Sequence, residues 1–228
     1  MSGRDAILGK IRTALGTGAG DPQRRAAVER RLGDHARHVT PGRVAGKDAT
    51  TLRQLFKSNL ETGLATVIEV DAEKDVPAAV AQYLHSQNLP QRIVTGADPY
   101  LEGLPWKDQP GLTRTVGRAA PTDDVGVSHA VGGIAETGTL ALASGANNPV
   151  TLTFLPETHI VVVEASSIVG PYEDVWDRIR AAYGDRTMPR TVNFVSGPSR
   201  TADIGGKIVI GAHGPRRLCV VLVGRTPA

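Results

Sequence analysis

A chain of 228 residues with 40% apolar side chains holds one large or two small domains, and its scarce aromatics (4%) leave the core to Val, Leu, Ile and Ala. A formal net charge of +3, with acidic residues spread among the basic ones, argues against a nucleic-acid or membrane-surface protein. The single cysteine, Cys219, excludes an intrachain disulfide and a thiolate-ligated iron–sulfur cluster. No apolar run reaches the length of a membrane span, and charges interleave with the N-terminal apolar residues, so the expectation is a cytoplasmic protein without a signal peptide.

Residues 4–15 place Ile7, Leu8, Ile11 and Leu15 on one helical face. Asp21-Pro22 opens a second, basic helix over 22–37, with Asp as cap and Pro in its first turn. Residues 39–48 read as linker, which makes 1–47 an N-terminal helical arm and 48–228 an α/β domain. The arm is expected to dock on its own body or on a second subunit, which leaves homo-oligomerisation open.

From residue 48 the pattern alternates. A helix is predicted over 49–62, a strand over 65–70, a helix over 75–88 and a strand over 92–95. Residues 97–111 read as a loop or broken helix, and 112–118 as a strand. Further strands are predicted over 123–130, 131–143, 150–154 and 160–164; the run Ile160-Val161-Val162-Val163-Glu164 is apolar enough to be buried on both faces. A helix over 173–183 and strands over 192–195, 207–210 and 218–223 complete the chain. The last two strands suggest a hairpin or crossover near the sheet edge. The whole predicts an α/β fold with a mostly parallel central sheet and flanking helices.

Three polar, glycine-containing turns follow apolar strands: Glu136-Thr137-Gly138-Thr139, Ser144-Gly145-Ala146-Asn147-Asn148, and the segment from Ser196 to Asp203. Ligands in open α/β sheets bind beyond the carboxyl ends of strands, so the three are expected to share one cleft there. Thr137, Gly138, Thr139, Ser144, Asn147, Asn148, Ser196, Gly197, Ser199 and Thr201 offer hydroxyls, amides and free backbone N–H groups suited to an anion. Arg200 is the expected clamp for a carboxylate or phosphate, and Asp203 its neighbour for a hydroxyl. Ser199 and Asp203 serve equally well as turn caps. Glu136, a lone charge among small residues, is a candidate nucleophile or base, or a cap of its own turn. His213, in a constrained Gly-Ala-His-Gly-Pro turn, is a second candidate, or simply orients that turn. His129 reads as a hydrogen-bonded interior residue in preference to a base, His159 equally as a strand-end or a site residue, and Cys219 as a buried small hydrophobe. No zinc-protease, phosphate-loop or dinucleotide motif is present, and no metal site is expected.

The segments GGIAETGTLAL, LPETHIVVVEASSIV, SGPSRTADI and GAHGPRRLCVVLV, in this order and spacing, resemble the LUD-domain family in its lactate-utilisation branch. The resemblance covers roughly residues 60–225. It implies the fold of the NagB/RpiA/CoA-transferase-like superfamily of sugar-phosphate isomerases and CoA transferases. It implies a component of L-lactate oxidation to pyruvate, a non-redox subunit beside iron–sulfur partner proteins that carry the clusters, with no cofactor on this chain. It also leads us to expect an acidic residue after the Thr-Ala-Asp-Ile segment, where this chain has Gly205. The alternative is a stand-alone CoA-transferase- or isomerase-like enzyme acting on a small carboxylate or sugar phosphate, with Glu136 as nucleophile or base and the Gly138 amide as oxyanion donor.

Overall fold

The computed structural model of the chain describes residues 3–16, 21–204 and 207–224, and at 202–204 the backbone alone. Gly205 therefore lies outside the described residues. The chain divides into two units, Met1–Val39 and Thr40–Ala228.

The first unit is two helices, α1 (Gly3–Ala14) and α2 (Pro22–Asp34). Asp21 caps α2 by accepting from the amides of Gln23 and Arg24, with Pro22 at the first helical position. Neither helix contains a buried residue.

The second unit begins with a turn that buries Val44 against Gly170, then α3 (Ala49–Thr62), capped by Asp48. There follow β1 (Thr66–Val70), α4 (Val76–Ser86), β2 (Arg92–Thr95), α5 (Pro99–Gly103), β3 (Thr113–Val116) and β4 (Val125–His129). Next come β5 (Gly132–Ile134), β6 (Thr139–Ala143), α6 (Thr151–Phe154), β7 (Thr158–Glu164), β8 (Ile168–Val169) and α7 (Tyr172–Tyr183). The series ends with β9 (Val192–Val195), β10 (Arg200–Ile204), β11 (Lys207–Ile210) and β12 (Arg217–Val223).

Six strands form one sheet in the order β1-β12-β7-β4-β2-β3, with every neighbouring pair parallel. Strands β7 and β12 are apolar on both faces, as parallel strands covered on both sides must be. Ile160, Val162, Cys219 and Val221 face a cluster containing Val80, Tyr83 and Leu84 of α4. Val161, Val163, Val220 and Leu222 face Phe56 and Leu60 of α3 and Leu140 and Leu142 of β6. A second sheet, β8-β5-β6-β9, lies on that side, and its other face packs Ile134 and Ala141 on Val175 and Ile179 of α7. The layers thus run α4, parallel sheet, second sheet with α3, α7. The fold is the predicted α/β one, with a mostly parallel central sheet and flanking helices.

Four element expectations differ. Residues 150–154, read as a strand, form the short helix α6: Pro149 precedes it, and Leu152 is fully buried with its carbonyl against Gly126 of β4. Residues 200–204, read as a turn, pair as β10 with β11, so 207–210 does not make a hairpin with 218–223. Strand β12 is interior instead of near an edge, because β1 and β7 occupy its two sides. Residues 131–143 are strands, but of the second sheet.

Candidate functional site

A cleft of about 510 Å³ opens at the carboxyl edge of the parallel sheet. Three strand ends build it: Asp98 follows β2, His129 ends β4 and Glu164 ends β7. The loop after β6 covers it, the backbone of Asn147 lying against Gly96 just beyond β2, and α7 contributes Arg178.

Asp98 caps α5, accepting from the amides of Tyr100 (3.0 Å) and Leu101 (3.3 Å). Its Oδ1 also lies 3.3 Å from His129 Nδ1, which directs that ring proton to Asp98. Burial alone would raise the Asp98 pKa, but the hydrogen bond and charge of His129 with the two amides outweigh it, and the carboxyl sits below its ordinary value. Tyr100 stacks on the imidazole at 4.1 Å between centroids and 14° between planes. His129 Nε2 is buried without a hydrogen-bond partner, 3.9 Å from Glu164 Oε2. Arg178 donates from Nη2 to the Ser166 carbonyl at 3.2 Å. The arrangement is an oriented imidazole, an accessible carboxylate and a guanidinium around one cleft, able to exchange a proton with a hydroxyl and to hold an anion.

The predicted site residues fall elsewhere, apart from one loop. Asn147 and Asn148 line the cleft, and Asn148 Nδ2 donates to the Ala143 carbonyl. Ser144 is structural: its Oγ accepts from the Thr191 amide and extends the β6–β9 pairing.

The Glu136–Thr139 turn lies at the other end of β6, five residues or roughly 16 Å away at about 3.3 Å per residue. Glu136 is 13% exposed, and its Oε1 accepts from Arg43 Nη2 at 2.6 Å. Thr137, Thr139, Tyr172 and Ser196 join hydroxyls: Thr137–Thr139 at 2.7 Å, Thr137–Tyr172 at 2.9 Å and Thr139–Ser196 at 2.6 Å. Gly138 has φ +63°, and a Cβ there would meet the Leu60 amide nitrogen at 2.6 Å.

Ser196, Gly197, Ser199, Arg200 and His213 line a third place, a 270 Å³ pocket at the amino edge of the parallel sheet, near the start of β7 and β12. Ser199 ties the two motifs together: its amide donates to Pro215, its carbonyl accepts from Gly211, and its Oγ accepts from the His213 amide. Arg200 and His213 are exposed. Thr201 pairs with Val209 in β10–β11, and the side chain of Asp203 lies outside the described residues. His159 reaches the same pocket from below, buried, with Nε2 3.0 Å from Ser128 Oγ.

Two of the three loops therefore meet, through Thr139 and Ser196, and the third sits at the opposite end of the molecule's second sheet. The expectation of one shared carboxyl-edge cleft fails because β6 and β9 are antiparallel, which sends the turn before β6 and the turn after β9 to the same side. Glu136 lines neither cavity and faces Arg43. Asp98, Glu164 and Arg178 escaped the sequence reading, which took His129 for a hydrogen-bonded interior residue and not for a base. The signal available was positional: a polar residue closing each of two apolar strands, and Asp-Pro separated by two residues from the end of a third.

Against known proteins, a family model described as the LUD domain matches residues 53–223. Lactate utilization protein C of Shouchella clausii is 29% identical over 174 residues, covering 76% of this chain and 73% of that protein. The protein of the same name from Halalkalibacterium halodurans is 37% identical over 102 residues, 44% of each chain. An uncharacterised protein of Neisseria meningitidis is 37% identical over 100 residues, 44% of this chain and 42% of its own length. The last two matches thus span less than half of those relatives. Among solved structures, a DUF162 family protein from Deinococcus radiodurans superposes with a TM-score of 0.59 at 24% identity, covering 78% of this chain and 99% of that one, a likeness of fold.

Proposed function

The chain belongs to the LUD-domain family, and on that premise we propose that it serves in the utilisation of L-lactate, as a component without a redox centre of its own beside iron–sulfur partner proteins. The observation that carries the reading is the 174-residue alignment with a relative named for lactate utilisation; a Bacillus subtilis relative of the same name is 35% identical over 107 residues. The single cysteine supports the division of labour, since one thiolate cannot hold a cluster. The carboxyl-edge cleft supports the reading, since open α/β sheets bind small molecules at that edge. A stand-alone transferase acting through Glu136 has less support, because that carboxylate is engaged by Arg43.

The test is genetic and biochemical. Deleting the gene in a strain without an intact paralogue is expected to abolish growth on L-lactate while sparing growth on glucose, and affinity capture from lactate-grown cells is expected to recover iron–sulfur proteins. Undiminished growth on L-lactate would end the reading.

A further inference from the structure

The groups in the carboxyl-edge cleft define what it can hold. Arg178 spends one of five N–H donors on the Ser166 carbonyl and keeps the rest for an acceptor. His129 lines the cleft with its Nε2 buried and without a hydrogen-bond partner, its other nitrogen committed to Asp98 and its plane fixed by Tyr100. Glu164, 40% exposed, stands 3.9 Å from that nitrogen and accepts only. The one guanidinium can pair the carboxylate of a monoanion, and the two carboxylates beside it repel a phosphate dianion. A donor for Nε2 or Glu164 close to that monoanion describes a hydroxyl near a carboxylate.

We propose that this cleft binds a small hydroxy carboxylate, its carboxylate on Arg178 and its hydroxyl on His129 Nε2 and Glu164. The choice of L-lactate as first probe rests on the lactate-utilisation reading; the ligand class rests on the cleft. At about 510 Å³ the cleft also admits acids longer than three carbons, so glycolate, L-malate and gluconate belong in the same series. Arg200, the cation expected from sequence to clamp an anion, lines the pocket at the amino edge and has no part in this site.

Isothermal titration of the full chain with L-lactate, propionate, glycerol, L-alanine and inorganic phosphate tests the proposal. L-lactate or a longer hydroxy acid is expected to bind about tenfold or more tightly than propionate, which lacks the hydroxyl, and than glycerol, which lacks the carboxylate. Arg178→Gln is expected to weaken that binding about ten- to a hundredfold, with Arg178→Lys intermediate because a lysine cannot bind a carboxylate bidentately. His129→Asn is expected to erase the preference over propionate, and Arg200→Gln to change nothing. Thermal melts of each variant separate lost binding from lost folding; if Arg178→Gln melts early, Arg178→Lys carries the test. Failure of every hydroxy acid to bind, equal binding of propionate, preference for L-alanine or phosphate, or sensitivity to Arg200→Gln with indifference to both Arg178 variants would each overturn the site. Lost growth on lactate in the deletion strain with no hydroxy-acid binding would sink this site and leave the pathway reading standing; binding without a growth defect would do the reverse.

Discussion

His159 lies in β7 with 1% of its surface exposed. Burial drives its pKa from the ordinary 6.5 down to about 3, so the folded protein keeps the ring neutral. The unfolded chain takes up a proton near pH 6.5 that the folded chain refuses, and stability falls as pH drops from 6.5 towards 3. The deficit at pH 5 is about 2 kcal/mol. In His159→Gln, the difference in urea-unfolding free energy between pH 7 and pH 5 is expected to shrink by about that amount; an unchanged difference would mean that the ring protonates in place. The acid sensitivity will shrink without vanishing. Glu69, bonded by Lys57 and Arg53, and Asp98 have lowered pKa values, and the stability they add above their unfolded pKa is lost as pH falls through the lowered ones. In sequence, His129 and His159 look alike, each in an apolar strand context. Depth along the strand separates them: His159 is the second residue of β7, whereas His129 is the last of β4, at the cleft. The partner Asp98 lies 31 residues upstream of His129, a separation that no helical or strand period encodes.

The β5–β6 hairpin is held closely at its turn. Its turn lies against the end of α3, where Asn59 Nδ2 donates to the carbonyls of Ala135 and Glu136. Only a residue without Cβ fits at Gly138, which combines φ +63° with the close approach of Leu60 and Asn59. Gly138→Ala is expected to cost about 1–3 kcal/mol from the left-handed backbone alone, with the clash against α3 added. Gly145→Ala, at a position with open space around it, is the control, and melting curves of the pair decide. An equal melting temperature would refute the packing of this turn. Elements with one dominant signal were legible: α3 from the stripe of Leu52, Leu55, Phe56 and Leu60, β7 from an unbroken apolar run. The assignment of β5 and β6 to a separate sheet was not, because a strand apolar on both faces carries no mark of which layer covers it. The Glu136 turn stands out in the sequence by its lone charge, yet its partner Arg43 sits 93 residues away in a stretch that reads as linker.

At the scale of the whole chain, the boundary between the units can be tested by truncation. A chain beginning at Thr40 keeps Val44, 4% exposed in the core beside α3, and the Arg43–Glu136 pair. Its melting temperature is expected within about 2 °C of the full chain, since α1 and α2 bury no residue. A chain beginning at Asp48 loses Val44 and leaves Glu136 uncompensated, and should be less stable by about 2–3 kcal/mol. Equal stability of the two truncations would contradict the anchoring role of residues 40–47. The order β1-β12-β7 has a further consequence for how the protein is made. The strand that fills the place between β1 and β7 is the last of the six to be translated, and β1 has no other neighbour in that sheet. During synthesis β1 and β7 each wait with an open edge while some fifty further residues beyond Glu164 are added, a count taken from the positions of β7 and β12. The nascent chain is thus exposed to chaperones and to self-association until β12 has been made, and a chain cut short before Arg217 cannot close its sheet.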